Sequence, residues 1–298
     1  MSQQRWVRCS LTHLVRQLAS YRFKIGRTTA RRLLKQLKYG LCRNRKTLTG
    51  PAHPDRDRQF RYIARLKRLF LEAGLPVISV DTKKKELIGN FLNAGRTWTR
   101  KPERVNVHDF PQEAIGRAVP YGIYDLSHNQ GYVYVGVSYD TPEFAAYAIA
   151  QWWADPNRPP FPREDKLLIL ADAGGSNNCR YWRWKQQIQQ QLADPFGIEV
   201  IICHYPTGAS KWNPVEHRLF SQISGNWAGK PLRSWDTMLN YIRGTQTQTG
   251  LTVKAFLVEQ PFEKKQHVSK EQRAMLNLQR RPICPNWNYV IKPRLATG

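Results

Sequence analysis

Residues 166–177 read KLLILADAGGSN. The apolar run Leu167–Ala171 is too short for a buried helix and closes on a glycine turn, so it predicts a strand buried on both faces. Asp172 stands at its C-terminal end. A second run, VISVD (77–81), is β-branched and closes on Asp81 in the same way, and Ile198–His204 makes a third. Strands covered on both sides need helices above and below them. The pattern around them supplies these. Arg117–Leu126 and Gly131–Ser138 are strands joined by SHNQ, a hairpin signal. Thr141-Pro142 reads as an N-cap followed by proline at the first helical position, opening a helix through Trp153. Cys179–Leu192 has an apolar helical stripe of Tyr181, Trp184, Ile188 and Leu192, and Asn213-Pro214 opens one more helix carrying Glu216, Leu219, Phe220 and Ile223. The order predicts an α/β fold, a mixed sheet with helices on both faces and a site at the C-terminal ends of its strands.

The chain before this core reads differently. Residues 1–70 hold 19 Lys and Arg against two acids, a net of +17, out of +25 for all 298 residues. An excess spread over a whole segment points to a nucleic-acid partner, where a short charge run would be a solvated face. Leu11, Leu14, Val15 and Leu18 repeat at helical spacing behind a Ser10 N-cap, and a second helix, Thr28–Tyr39, carries an Ala30, Leu33, Leu34 and Leu37 stripe. YRFKIG, with Gly26, joins them. Two short helices around a glycine-containing turn, the second rich in cations, predict an all-α helix-turn-helix. Arg27, Thr28, Thr29, Arg31 and Arg32 then lie nearest the groove, with Lys35 on the same helix. Arg43, Arg45 and Lys46 follow in a polar connector, and a basic amphipathic helix covers about Arg58–Ala73.

Several classes are excluded. The mean hydropathy of −0.59 and strand-length apolar runs leave no membrane span, and the N-terminus lacks the apolar stretch of a signal peptide. Five cysteines, odd in number and without CxxC spacing, fit neither a disulfide framework nor a zinc ribbon and suit a reducing cytoplasm. DAGGSN lacks the Gly-Lys-Ser/Thr ending of a phosphate-binding loop. His204 and His217 have no partner at zinc-ligand spacing.

Asp81, Asp172 and Glu216 remain as candidate catalytic residues. Each has a local reading: Asp81 as a turn residue, Asp172 as the cap of a glycine turn, Glu216 as a capping-box carboxylate three positions after Asn213. Together they read as a site, because two end neighbouring strands and the third faces the sheet with Phe220 and Ile223. Clustered carboxylates need a cation. Oxygen-only ligands favour Mg²⁺ or Mn²⁺, and two such ions suit phosphodiester displacement. Lys83 and Lys85 sit beside Asp81, to meet phosphate or to form an exposed basic edge. YWRWK (181–185) interleaves aromatics with cations, as stacking surfaces do. Tyr181 and Trp184 fall on the core stripe, leaving Trp182 and Arg183 as DNA candidates. Lys211, in the loop before Glu216, is another.

At these residues the chain resembles the DDE transposases of the Rhodopirellula-type insertion-sequence family, in the RNase H-like superfamily. The blocks that carry the likeness are VISVDTKKKE (77–86), GRAVPYGIYDL (116–126), LLILADAGGSN (167–177) and CHYPTGASKWNPVEHRLFS (203–221). HDFP, NRKT, HPDRD, RGTQTQTGL and PNWNYVIKP extend it over nearly the whole chain. The resemblance implies an RNase H-like catalytic domain over 76–298, after a helix-turn-helix domain (1–50) and a basic linker and helix (51–75). It implies Asp81, Asp172 and Glu216 as catalytic and metal-binding triad, two Mg²⁺ or Mn²⁺ ions, and strand cleavage and transfer on an insertion sequence. The partners implied are double-stranded DNA, as terminal inverted repeats and target, and further copies of the chain. The place implied is the bacterial cytoplasm, at the nucleoid when DNA is bound. Family members carry a longer N-terminal region, so a truncated or domesticated DNA-binding protein is one alternative. An RNase H-like nuclease acting on RNA is the other.

Overall fold

The computed structural model describes residues 9–40, 53–106, 110–209, 212–264 and 266–294, and the chain divides into two compact units, 1–49 and 50–298. Arg43, Arg45, Lys46 and Lys211 lie outside the described residues.

In the first unit α1 spans Leu11–Ser20, capped as expected by Ser10, whose hydroxyl accepts from the His13 N–H at 3.1 Å. α2 spans Arg27–Gln36. It starts before Thr28 because Gly26 takes the N-cap position, and it stops before Tyr39 because Lys38 turns left-handed (φ 60°). Only Ala30 is buried in these two helices, and Leu33 and Leu37 of the expected stripe are 40% and 68% exposed. Two ten-residue helices are too little to enclose a core.

The second unit begins with α3 (Arg56–Glu72), β1 (Val77–Thr82) and a short β2 (Glu86–Ile88). The hairpin of β3 (Gly116–Asp125) and β4 (Gln130–Gly136) follows, then α4 (Pro142–Ala154) and β5 (Lys166–Ala171). Thr141 caps α4 by accepting from the Phe144 N–H at 3.2 Å, and Pro142 needs no partner there. α5 (Trp182–Ile188) continues through a π-helical stretch, Gln189–Ala193, into α6 (Asp194–Phe196) and then β6 (Glu199–His204). A second π-helical stretch, Val215–Phe220, runs into α7 (Ser221–Asn226). α8 (Trp235–Arg243), β7 (Thr252–Val258), α9 (Lys270–Ala274), β8 (Leu278–Arg280) and β9 (Asn288–Ile291) complete it.

The strands form one mixed sheet in the order β7-β4-β3-β1-β5-β6-β9-β8, with β2 paired to β3. β1, β5 and β6 are parallel, and β3 runs antiparallel to both β1 and β4. Helices cover both faces. Ile78, Val80, Leu167, Ile169 and Ala171 pack toward α4 and α5. Val77, Leu168 and Leu170 pack toward α3, while Val133 and Val135 pack toward α7 and α8. Because side chains alternate along a strand, Ser79 and Asp81 follow Val77, and Asp172 follows Leu170, onto the face of α3, α7 and α8. Among the described residues no helix is long and apolar enough to cross a membrane, and the four described cysteines, Cys9, Cys179, Cys203 and Cys284, are free.

Candidate active site

Val80 of β1 pairs with Ala171 of β5 in parallel register, so Asp81 and Asp172 leave adjacent strands side by side, one step beyond that pair. Each accepts a hydrogen bond on Oδ1 from the next backbone N–H, Thr82 at 2.8 Å and Ala173 at 2.7 Å. These bonds fix the carboxylates without neutralising them.

Glu216 reaches the same face through contacts distant in sequence. On the other side of β1, Asp81 faces Gly122 of β3. A Cβ there would stand 2.3 Å from the Phe220 ring and 3.3 Å from Val215, so the missing side chain lets the Val215–Phe220 stretch lie against the sheet. Asn213 is fully buried. Ser79 Oγ donates to Asn213 Oδ1 and accepts from the Val215 N–H at 2.9 Å, and Asn213 Nδ2 donates to the Val80 carbonyl at 3.3 Å. Asn213 therefore does not cap the helix with its side chain: it pins the segment onto β1, and the capping-box reading of Glu216 does not hold.

The electrostatics follow from this gathering. Burial is the main cause that pushes Asp81 up to about 7, with Asp172, Glu216 and Asp140 adding repulsion against the Thr82 hydrogen bond. Burial also raises Asp172. It raises Glu216 too, helped by Asp172 and opposed by Lys83 and His217. Among the described residues no three such side chains stand close enough to hold a metal ion as placed. The donor set fits a hard divalent cation all the same, since it offers only carboxylate oxygens that repel one another.

The chain matches the family described as the Rhodopirellula transposase DDE domain over residues 1–293. It belongs to that transposase family. The transposase chain is also similar to several solved structures, two of which are as follows. The "Mos1 transposase paired-end complex with left transposon end" has 10% identity and a TM-score of 0.44, over 81% of this chain and 73% of that one. The "Mos1 Strand Transfer Complex" has 11% identity and a TM-score of 0.46, over 81% and 72%. None of the curated proteins compared matches the chain.

The transposase's other candidate residues are scattered. Arg27, Thr28, Arg31, Arg32 and Lys35 are exposed on α2, and Thr29 is half-buried there. Lys83 is buried, its ammonium 3.0 Å from Glu86 and 4.5 Å from the Trp227 ring centre. Lys85 lies 3.8 Å from Asp140. Trp182 is half-buried with Lys185 and Arg273 over its ring, and Arg183 is tied to Glu143 and Gln186. Tyr181 departs from the core stripe: α5 starts one residue after it and it is 48% exposed, whereas Trp184 is fully buried.

Sequence reasoning overlooked three positioning groups. Asp140 accepts from Thr82 Oγ1 at 3.0 Å, directly after Asp81. Asn177, of the glycine loop, accepts from Tyr121 Oη at 2.9 Å, which ties the chain after Asp172 to β3. His204 lies 3.0 Å from the Asp172 carbonyl through Nδ1 and 2.8 Å from Tyr289 Oη through Nε2. His204 closes β6 as the acids close β1 and β5, and that parallel is a signal the sequence does carry.

Proposed function

We propose that the chain is a metal-dependent DNA transposase that cleaves strands at the ends of an insertion sequence and joins them to target DNA. The observation behind this is the placement of Asp81 and Asp172 on adjacent strands and one face, with Glu216 pinned over that face through Ser79 and Asn213. Family membership supports the class of reaction.

Asp81, Asp172 and Glu216 would hold two Mg²⁺ or Mn²⁺ ions. Bound there, the ions supply stabilisation of the attacking and leaving oxygens of a phosphodiester. The remaining work falls to the chain itself. Ser79 and Asn213 set the position of Glu216, and Gly122 clears its approach. His204 holds the Asp172 carbonyl, and Lys83 favours the Glu216 carboxylate. The α2 cations, with Arg43, Arg45 and Lys46, contact the terminal inverted repeats. Lys83, Lys85, Trp182, Arg183 and Lys211 flank the strand being cut. In this reading 1–50 is the DNA-binding domain, 51–75 a connecting segment and 76–298 the catalytic domain. The chain works as a homo-oligomer on DNA in the bacterial cytoplasm.

The test is cleavage of DNA bearing the element's ends, with Mg²⁺ and with EDTA. Asp81→Asn and Glu216→Gln abolish cleavage while DNA binding stays near the wild-type level. Persistent Mg²⁺-dependent nicking by either variant would overturn the assignment. Metal-independent binding without cleavage by the unaltered chain favours a domesticated DNA-binding protein instead, and preferential cleavage of RNA favours an RNase H-like nuclease.

A further inference from the structure

Asp81 and Asp172 are held by unlike means. Asp81 lies inside β1, in register with Gly122 of β3, so the sheet fixes its backbone. Asp172 directly follows the end of β5 and is itself followed by Ala173, Gly174 and Gly175. Two glycines in a row leave the preceding peptide plane free to turn unless a group outside the strand holds it. Both polar groups of the plane between Asp172 and Ala173 are in use. Its N–H donates to Asp172 Oδ1 at 2.7 Å, and its carbonyl faces His204 Nδ1 at 3.0 Å. A peptide unit is rigid, so whatever fixes the carbonyl also aims the N–H that holds the carboxylate.

His204, Tyr289 and Trp184 are fully buried. A carbonyl only accepts, so His204 Nδ1 carries a proton. At the other end, Trp184 Nε1–H can only donate, and it lies 3.0 Å from Tyr289 Oη. Between them, Tyr289 Oη lies 2.8 Å from His204 Nε2. With both ends fixed in sense, one arrangement gives every proton an acceptor. The indole donates to the phenol oxygen, the phenol to Nε2, and Nδ1–H to the Asp172 carbonyl. The other tautomer sets a bare Nδ1 against the carbonyl oxygen and leaves the phenol proton without an acceptor among the described residues. A ring protonated on both nitrogens strands the phenol proton in the same way. The backbone of His204 is held as well. Gln59 Nε2 of α3 donates to its carbonyl at 2.9 Å, and its N–H donates to the Trp287 carbonyl at 2.9 Å. Gln59 and Asn288, both fully buried, exchange amide hydrogen bonds at 2.7 and 2.6 Å.

We propose that Tyr289 is a positioning residue for Asp172. Its hydroxyl, oriented by Trp184, holds His204 in the one tautomer that can donate to the Asp172 carbonyl, and through that peptide plane it sets the carboxylate. Outer groups of this kind tune the ligand that they orient. The proposed function enters only in making Asp172 a metal ligand.

The experiment takes the full chain, ¹⁵N-labelled, in EDTA. The ¹⁵N spectrum of His204 should show the proton on Nδ1, the tautomer that a free histidine side chain takes less often. Tyr289→Phe removes one hydroxyl and keeps the ring. It should speed amide exchange at Ala173 by about fivefold, the weight of one net hydrogen bond. Thr82, whose N–H makes the same bond to Asp81, should be unchanged. With Mn²⁺ added, the half-saturation concentration should rise about threefold in Tyr289→Phe and about tenfold in His204→Ala, which removes the donor itself. His204→Asn, whose amide stands in for Nδ1–H and has no tautomers, should recover most of that loss. Adding Tyr289→Phe to it should then change nothing further. A proton on Nε2 in the unaltered chain overturns the proposal, and that is read whether or not Tyr289→Phe folds. Equal loosening of Ala173 and Thr82 in Tyr289→Phe overturns it too. So does a lower melting temperature with Ala173 exchange and Mn²⁺ half-saturation unchanged, since Tyr289 would then only pack. Failure of the unaltered chain to cleave end DNA in Mg²⁺ overturns the transposase reading instead, because the tautomer and the Ala173 response are decided without metal.

Discussion

Asp81 carries the most disturbed carboxyl of the site, held up at about 7 chiefly by burial and further by three acidic neighbours. An ordinary aspartate titrates near 3.9, so between about pH 4 and pH 7 the folded chain binds a proton that the unfolded chain has released. Its contribution to stability is full below pH 4 and is lost as the pH rises through 7. The metal-free protein should therefore melt at progressively lower temperature from pH 5 to pH 8. Asp81→Asn should flatten that slope and stabilise the protein at pH 8 by about 2–4 kcal/mol, read from thermal melts in EDTA. His204 works with the opposite sign. Burial lowers it to about 4, so the folded chain resists protonation, and the stability present above pH 6.5 is lost as the pH falls toward 4. A His204→Gln variant should lose that acid-side slope while keeping the Asp81 slope, and melts at pH 4.5 and 8 separate the two. If both slopes vanish in either single variant, the titrating groups are others.

At the scale of elements, the sequence carried the central strands and omitted the outer ones for a physical reason. β1, β5 and β6 are covered on both faces and so read as unbroken apolar runs. β7 is covered mainly on one side, with Thr252 and Phe256 outward, and β2 and β8 have three residues each, below the length at which a period can be seen. Asp81 and Asp172 were legible because each terminates such a run. The way Glu216 is held was not. Asn213 before Pro214 has the local look of a cap, and its true partner, Ser79, is 134 residues away in sequence. Gly122 is a second long-range condition, invisible in PYGIYD. A methyl group there meets the Phe220 ring inside a packed cluster, so Gly122→Ala should destabilise the protein by about 1–3 kcal/mol. It should also slow cleavage more than it weakens DNA binding, because the displaced stretch carries Glu216. Urea melts combined with cleavage and binding assays check this. A loss of binding equal to the loss of cleavage would mean that the whole unit had been disturbed instead.

At the scale of the molecule, the basic excess separates into cations that are free and cations that are already paired, and the two kinds answer differently to salt. Residues 1–49 hold 13 Lys and Arg and no acid, whereas residues 50–298 hold 34 against 22. On α2, Arg31, Arg32 and Lys35 are exposed. In the second unit Lys83 faces Glu86, Lys85 faces Asp140 and Arg183 faces Glu143. A cation that meets phosphate displaces condensed counterions, and each such contact adds about 0.9 to the slope of log K against log salt. Arg31→Ala should therefore lower that slope by about one and weaken binding evenly across DNA sequences. Arg183→Ala should leave the slope within about half a unit of the unaltered value, because its charge is already met by Glu143. Its effect should appear as lower stability, since it leaves the Glu143 carboxylate, 13% exposed, without its partner. Titrating both variants against end DNA between 50 and 200 mM salt, beside their thermal melts, decides the matter. An equal drop in slope for the two would show that the Arg183–Glu143 pair opens when DNA arrives. A sequence-selective loss for Arg31→Ala would show that this side chain reads bases.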